Sequence, residues 1–448
     1  MSQKNIIIIS LDCVRQESVG CYPSSFPFWK TRGMSVYTPH IDGIARDGIL
    51  FEQTISQAPY TSASHASILT GMNPYNHGIR GIIGYKLSNK VTTLAEILRD
   101  NNYQTGAVVG SDALNSRYGL DRGFDLYDEE FLPGANACWI LGFRRTGQEV
   151  TDRALEWLKN RNDKSFFLFL HYFDAHDELS DLKEIEVQKY KKRNQAELKK
   201  WLRSRFFSKG LKRHYKRIFH RQKKYGIRYQ LMKVSGIDYQ IGRMLDFLKR
   251  HGLYDDTYLA VISDHGDSFW EHGERSHREY LYDTTLKIPF ILKGPSELQG
   301  KTVSFLTRAV DVYPTVLELL GIGADKVDGV GLIKFIKEKT QKKLRAYSET
   351  RHEISSEKFD ELRSNLICLR TAEWKLILDR LNERRQLYDL VNDPKERKNV
   401  WSRERNIAAE METELLDLMN DSDALNENYM SPEELKRVEE ALKKLGYL

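Results

Sequence analysis

The first apolar run of the chain, Asn5-Ile-Ile-Ile-Ile-Ser-Leu11, shows no polar alternation and stops abruptly at Asp12. A short continuous run of this kind reads as a strand buried on both faces, the type found in parallel sheets. Phe166–His171 (FFLFLH) and Leu259–Ser263 (LAVIS) repeat the pattern, and Pro289–Leu292 begins another. The stretch from Tyr103 to Gly110 reads as a helix stop followed by a strand. Between these runs the spacing becomes helical, over Val91–Asp100, Val150–Lys159 and Val234–Arg250, the last closed by Gly252. Strands alternating with helices predict an α/β fold with a doubly wound central sheet and helices on both faces. After about residue 345 the pattern changes to short strands between turns, at Leu366–Thr371, Trp374–Leu378 and Arg385–Leu390. Helical spacing follows at about 404–419 and 432–445. The expected organisation is a main α/β domain over 1–345 and a C-terminal α+β subdomain over 346–448 with a small antiparallel sheet.

Composition narrows this little: 448 residues, 40% apolar and 29% charged, describe an ordinary globular chain. No apolar run approaches the ~20 residues that span a bilayer. The first run is too short for the core of a secretion signal, so the cytoplasm is the expected compartment. Four cysteines without a CxxC pair exclude a disulfide scaffold and a zinc ribbon. Charge is more informative. The net +6 hides a segment, 183–224, with 17 Lys/Arg against 3 Asp/Glu, which leaves the remainder acidic. Trp201, Leu202, Phe206, Phe207, Leu211, Tyr215, Ile218 and Phe219 recur there at roughly helical spacing. The segment reads either as a solvated helical insertion or as a basic amphipathic surface. The second reading suits an acidic glycan or a lipid headgroup, with peripheral membrane contact. Nucleic acid fits least of the three partners, because no nucleic-acid motif accompanies the segment.

In open α/β sheets ligands bind beyond the carboxyl ends of the strands. Asp12 follows the first strand, Asp174 and His176 follow the second in HYFDAHD, and Asp264-His265 follow the third in VISDHGD. Each alone reads as a turn or cap. Together on one rim, hard oxygen ligands and an imidazole suit a divalent cation: Zn, Mn, Mg or Ca. Pro59–Gly71 (PYTSASHASILTG) adds hydroxyl residues ahead of a helix-like run. They serve either as plain caps or as a hydroxyl at a helix N-terminus, where the dipole favours an anionic ester.

Read in order, these segments resemble the sulfatase family of the alkaline phosphatase superfamily, over nearly the whole chain. The resemblance rests on Asn5–Asp12, Thr38-Pro-His-Ile-Asp42, Thr61–Gly71, Gly119–Asp128, Ser263-Asp-His-Gly266, Glu271-His-Gly273 and Leu387–Pro394. It implies an alkaline-phosphatase-like mixed sheet, a metal-dependent ester hydrolase or transferase, and an anionic ester substrate, glycan- or lipid-linked. Where the family signature carries the Cys or Ser that becomes formylglycine, this chain has Thr61; the signature Pro is Ala63 and the Arg is His65. Threonine does not become that aldehyde by the usual route, so no formylglycine is expected. Thr61 would act as an unmodified alkoxide, as in phosphodiesterases and phosphoryl transferases of the superfamily.

A metal lowers the pKa of a coordinated oxygen by many units. A threonine ester of phosphate is displaced more readily than one of sulfate, which lacks the hemiacetal exit of formylglycine. The expected function is therefore phosphate ester hydrolysis or transfer, mono- or diester, through a covalent phosphothreonine. The alternatives are a sulfate ester hydrolase without formylglycine and a catalytically silent binding protein. The family pattern implies one metal on Asp12, Thr61, Asp264 and His265. Cys13 stands where many members have a second carboxylate, and reads as a buried neighbour or a soft ligand. His176 matches the residue that meets the leaving oxygen, as general acid. His277 or Arg278 would bind an ester oxygen, and His65 would support the nucleophile. Arg15 would bind a substrate anion or pair with a carboxylate.

Overall fold

The computed structural model describes residues 3–26, 31, 34–81, 84–130, 144–176, 211–274, 276–340, 343–351, 365–420 and 433. Nine strands form one sheet: β1 Asn5–Leu11, β2 Ile49–Ile55, β3 Gln104–Val108, β4 Leu126–Asp128, β5 Phe166–Tyr172, β6 Thr257–Ser263, β7 Lys287–Lys293, β8 Lys301–Val303 and β9 Thr307–Arg308. Their order is β4-β3-β5-β1-β6-β7-β2-β8, with β9 also on β2. The unbroken isoleucines of β1 are explained by burial on both sides. Ile6 and Ile8 join one core cluster, while Ile7, Ile9 and Leu11 join the other. The first cluster includes helices α1 Thr61–Thr70 and α2 Leu94–Asp100; the second includes α3 Gly147–Asn160 and α4 Leu211–Arg250.

The sheet is mixed, with β7 antiparallel to both β6 and β2. Pro289, which has no N–H for a ladder bond, lies within β7, and the pairing register of β2 shifts opposite it, between Phe51 and Thr54. Helix limits differ from the periodicity for local reasons. The second helix starts at Leu94 because Thr93 and Glu96 form a capping box, and the third at Gly147 because Thr146 and Glu149 do the same. The helix expected over Val234–Arg250 begins at Leu211, so the end of the basic segment is helical backbone. Its part over 183–210 lies outside the described residues, as does the helix expected at 432–445 apart from residue 433. Among the described residues no helix is long and apolar enough to cross a membrane.

A second sheet, antiparallel, contains β10 Ala346–Arg351, β11 Asn365–Arg370, β12 Trp374–Asp379 and β13 Arg385–Asp389. Helix α5, Arg405–Asn420, packs on it through Ala408, Met411 and Leu415. Polar contacts join this sheet to the first. Arg80 makes two bonds to Glu349, at 2.8 and 2.7 Å, and Ser348 donates to the Ser56 carbonyl at 2.6 Å. Lys375, fully buried, bridges Asp283 and Glu396 at 2.8 Å each.

Candidate active site

The central strands β5, β1 and β6 lie side by side and run parallel, so their carboxyl ends open on one rim. Asp12 and Asp264 are the residues that follow β1 and β6, and both are fully buried. The chain turns sharply at Cys13, whose φ of 62° is left-handed and strained for a side chain with a Cβ. That turn sends the Cys13 N–H to Asp264 Oδ1 at 3.0 Å, and the same oxygen accepts the His265 N–H at 2.7 Å. Helix α1 starts at Thr61, directly at the rim, and ends at Gly71, whose φ of 70° is the left-handed C-cap. The Thr61 hydroxyl donates to Asp12 Oδ2 at 3.2 Å. The chain therefore brings together all four residues expected around a cation.

The histidines around them have readable tautomers. His65 donates from Nδ1 to the Thr61 carbonyl at 2.7 Å, so its Nε2 accepts from Ser10 Oγ at 2.7 Å. His171 accepts the Gly110 N–H at Nδ1, 3.3 Å, and so donates from Nε2 to Asp12 Oδ2 at 3.0 Å. Burial holds both imidazoles down to about 4, so both are neutral at pH 7. His171 is a neighbour that sequence reasoning missed. It ends the apolar run FFLFLH, and only the parallel register, Ser10 beside His171, shows that it meets Asp12.

Three fully buried acceptors at the rim, Asp12 Oδ1, Asp264 Oδ2 and His265 Nε2, receive no hydrogen bond among the described residues. His265 Nδ1 faces the Gly266 carbonyl at 2.9 Å and must carry the proton, so Nε2 presents a lone pair. The donor atoms of Asp12, Asp264 and His265 lie within 4.8 Å of one another. Burial pushes the Asp12 carboxyl up to about 6 and Asp264 up as well, the latter reinforced by Asp12. Unpaired lone pairs, two carboxylates and no donor between them fit a divalent cation. His265 Nε2 and Asp264 Oδ2, both without a hydrogen-bond partner among the described residues, are 3.4 Å apart, a spacing that suits two ligands of one ion.

The remaining expected residues divide. His176 is half-buried, stacks on Phe173 at 4.5 Å and lies 5.0 Å from His277, centroid to centroid. Burial, ahead of the Arg278 charge, holds it well below its ordinary value, so it is a neutral imidazole. Lys233 of α4 and Arg144 add positive charge around it, and neither stood out in the sequence. His277 also joins the rim, its Nδ1 3.3 Å from Cys13 Sγ, 3.0 Å from Ser276 Oγ and 3.3 Å from Asp267 Oδ1. Arg278, at a positive φ of 98°, follows it, and its carbonyl is held by Thr350 of β10 at 2.5 Å. Arg15 pairs with Glu17 and Glu271, both at 3.3 Å, as the carboxylate-pairing reading expects. Asp174 accepts the Gly147 N–H at 2.9 Å at the start of α3.

The family model described as Sulfatase matches residues 4–322, and that described as N-sulphoglucosamine sulphohydrolase, C-terminal, matches residues 271–421. An endo-4-O-sulfatase of Bacteroides thetaiotaomicron is 23% identical over 376 residues, 71% of this chain and 70% of that protein. A structure solved with D-glucosamine-2-N,6-O-disulfate as its substrate overlays with a TM-score of 0.68 at 20% identity, over 99% of this chain and 98% of the other. The phosphonate monoester hydrolase of Agrobacterium radiobacter overlays with a TM-score of 0.71 at 17% identity, over 96% and 99%. With a family match across most of its length and a mixed sheet of the same architecture, the chain belongs to the sulfatase family of ester hydrolases.

Proposed function

We propose that this protein hydrolyses sulfate esters of an anionic glycan, with the Thr61 hydroxyl as nucleophile and one divalent cation on Asp12, Thr61, Asp264 and His265. The observation that carries the reading is the set of three unpaired buried acceptors beside a hydroxyl at the first turn of a helix. The comparisons change the order of the sequence reading: matches named for sulfate esters and a sulfated sugar favour sulfate over phosphate. A bound cation would supply Lewis acidity and make the hydroxyl acidic near neutral pH.

The chain's own groups do the rest. Asp12 Oδ2 orients the hydroxyl through its proton, and His65 fixes the backbone of Thr61 from one turn further along α1. The N-terminus of that ten-residue helix faces the incoming anion with unpaired N–H groups. Oxygen attack on sulfur would expel the sugar alcohol and leave a threonine sulfate ester, which water then cleaves. His176, as a neutral imidazole, offers an N–H to the departing oxygen, while His277 or Arg278 holds an ester oxygen.

A second reading, phosphate or phosphonate ester hydrolysis, is favoured by Thr61 itself, because an ordinary hydroxyl transfers phosphoryl groups through a displaceable ester. The phosphonate monoester hydrolase among the fold neighbours agrees with it. Initial rates on matched sulfate, phosphate monoester, diester and phosphonate substrates, with each divalent ion added, test the proposal. The highest kcat/KM on sulfate supports it. A higher value on phosphate or phosphonate replaces it with the second reading. No turnover on any ester would leave a sulfatase-like binding protein.

A further inference from the structure

We infer that Cys13, His265 and His277 form a second, softer cation seat, and that it competes with the carboxylate seat for the single free nitrogen of His265. The ligating atoms of these three buried residues lie within 4.8 Å of one another, as do those of Asp12, Asp264 and His265. His265 belongs to both groups. Its Nδ1–H is directed at the Gly266 carbonyl, so only Nε2 can bind a metal, and that atom is buried without a hydrogen-bond partner among the described residues. One nitrogen serves one ion at a time. The two groups are therefore alternative seats, and an ion chooses between them by the donor atoms it prefers.

The chemistry of the seats is opposite. Two carboxylates and the Thr61 hydroxyl make the first a hard, oxygen-rich site suited to Mg, Ca or Mn. A thiolate and two imidazoles make the second a soft site suited to Zn, Cd or Cu. The geometry supports it. Bonds of ~2.3 Å to sulfur and ~2.0 Å to nitrogen at a tetrahedral angle place the two ligands ~3.5 Å apart. Cys13 Sγ and His277 Nδ1 are 3.3 Å apart; that nitrogen also meets Ser276 Oγ at 3.0 Å and Asp267 Oδ1 at 3.3 Å, contacts it must give up to bind an ion. The left-handed turn at Cys13 places the thiol there, because the same turn commits its N–H to Asp264. On binding, the thiol proton is released to solvent as the sulfur–metal bond forms. Since His277 is a candidate for holding an ester oxygen, a soft ion in the second seat would also withdraw that group from the substrate. The inference rests on the proposed function only for this last consequence and for the competition.

The test uses the full-length protein and Cd2+ alone as probe, followed by the ultraviolet charge-transfer band of thiolate-bound cadmium. Wild type should develop the band with one equivalent of Cd2+. Cys13→Ser should lose the band, with the affinity for Cd2+ lowered by more than the ~100-fold that loss of an outer-shell partner costs. His277→Gln, which leaves the thiol in place, should keep a band but need a higher Cd2+ concentration. Asp12→Asn should retain the full band. In wild type preloaded with Mn2+, each Cd2+ bound should release one Mn2+, read by the electron paramagnetic resonance of the freed ion. The absence of a band in wild type, or a band unchanged in Cys13→Ser and His277→Gln, overturns the seat. Cadmium binding with full retention of Mn2+ overturns the competition. If Mn2+ never binds while the band behaves as described, the carboxylate seat fails and the cysteine seat stands.

Discussion

Three substitutions at Thr61 separate its hydroxyl from its bulk. Thr61→Val keeps the branched shape and removes only the O–H that donates to Asp12 Oδ2 at 3.2 Å. A hydrogen bond to a charged group contributes about 1.5–3 kcal/mol, and Asp12 keeps its other donor, His171. The fold should therefore lose at most about 3 kcal/mol. The Asp12 carboxyl, already up to about 6 through burial, rises further without this donor, which weakens cation binding at neutral pH as well. The chemical step should fall on the order of 10⁴-fold or more, about 5.5 kcal/mol of barrier, because no other group replaces the nucleophile. Thr61→Ser keeps the oxygen and loses one methyl, about 0.8 kcal/mol of burial, so kcat should stay within about tenfold of wild type. Thr61→Ala should match the valine variant. The assay is kcat/KM on the best ester of the panel, alongside urea denaturation of each variant. A valine variant with more than about 1% of wild-type kcat/KM, or a serine variant as inactive as the valine one, refutes the nucleophile assignment.

Other expectations follow from the same rim. His176→Ala should slow esters with poor leaving groups far more than nitrophenyl esters; equal losses on both would remove it from the leaving-group side. Glu274 is buried, with Oε1 accepting from Glu279 and Tyr280, and burial pushes its carboxyl up to about 8. A raised folded pKa stabilises below the ordinary value of 4.5, and the contribution is lost as pH rises through 8. Glu274→Gln should therefore flatten the fall in stability between pH 5 and 9 by a few kcal/mol, at about 1.4 per pH unit, in denaturant titrations. An unchanged pH profile would show that this carboxyl titrates normally. Lys375→Met leaves Glu396 without its cation and takes one of two from Asp283, so unfolding free energy should drop by about 3–5 kcal/mol. A loss below about 1 kcal/mol would mean that water replaces the lysine.

What the sequence shows of this fold follows from how local each determinant is. Buried strands announce themselves, since isoleucines on both faces of β1 leave no polar alternation. The residues that follow them, Asp12 and Asp264-His265, could be placed on one rim because parallel central strands end together. Strands β2 and β10 were not anticipated. The first alternates buried and exposed positions imperfectly across its bulge, and the second, AYSETR, buries Ser348, Glu349 and Thr350, polar residues that pattern reading assigns to the surface. The roles of His171, Lys233 and Arg144 depend on pairing register and helix packing between segments far apart in sequence. The second seat was half legible: Cys13 stood out as a departure, but nothing in the spacing placed His277 3.3 Å from its sulfur.

The small antiparallel sheet holds the reactive rim from outside. Thr350 grips the carbonyl of Arg278, Gln386 reaches the Tyr282 hydroxyl at 3.2 Å, and Lys375 with Arg370 clamps Asp283, all on the segment between His265 and β7. Wear in that distant brace would surface first as misaligned chemistry, with catalysis failing in molecules whose large sheet is still intact. Screens for inactive variants should accordingly return lesions there, in residues that do not themselves touch the ester.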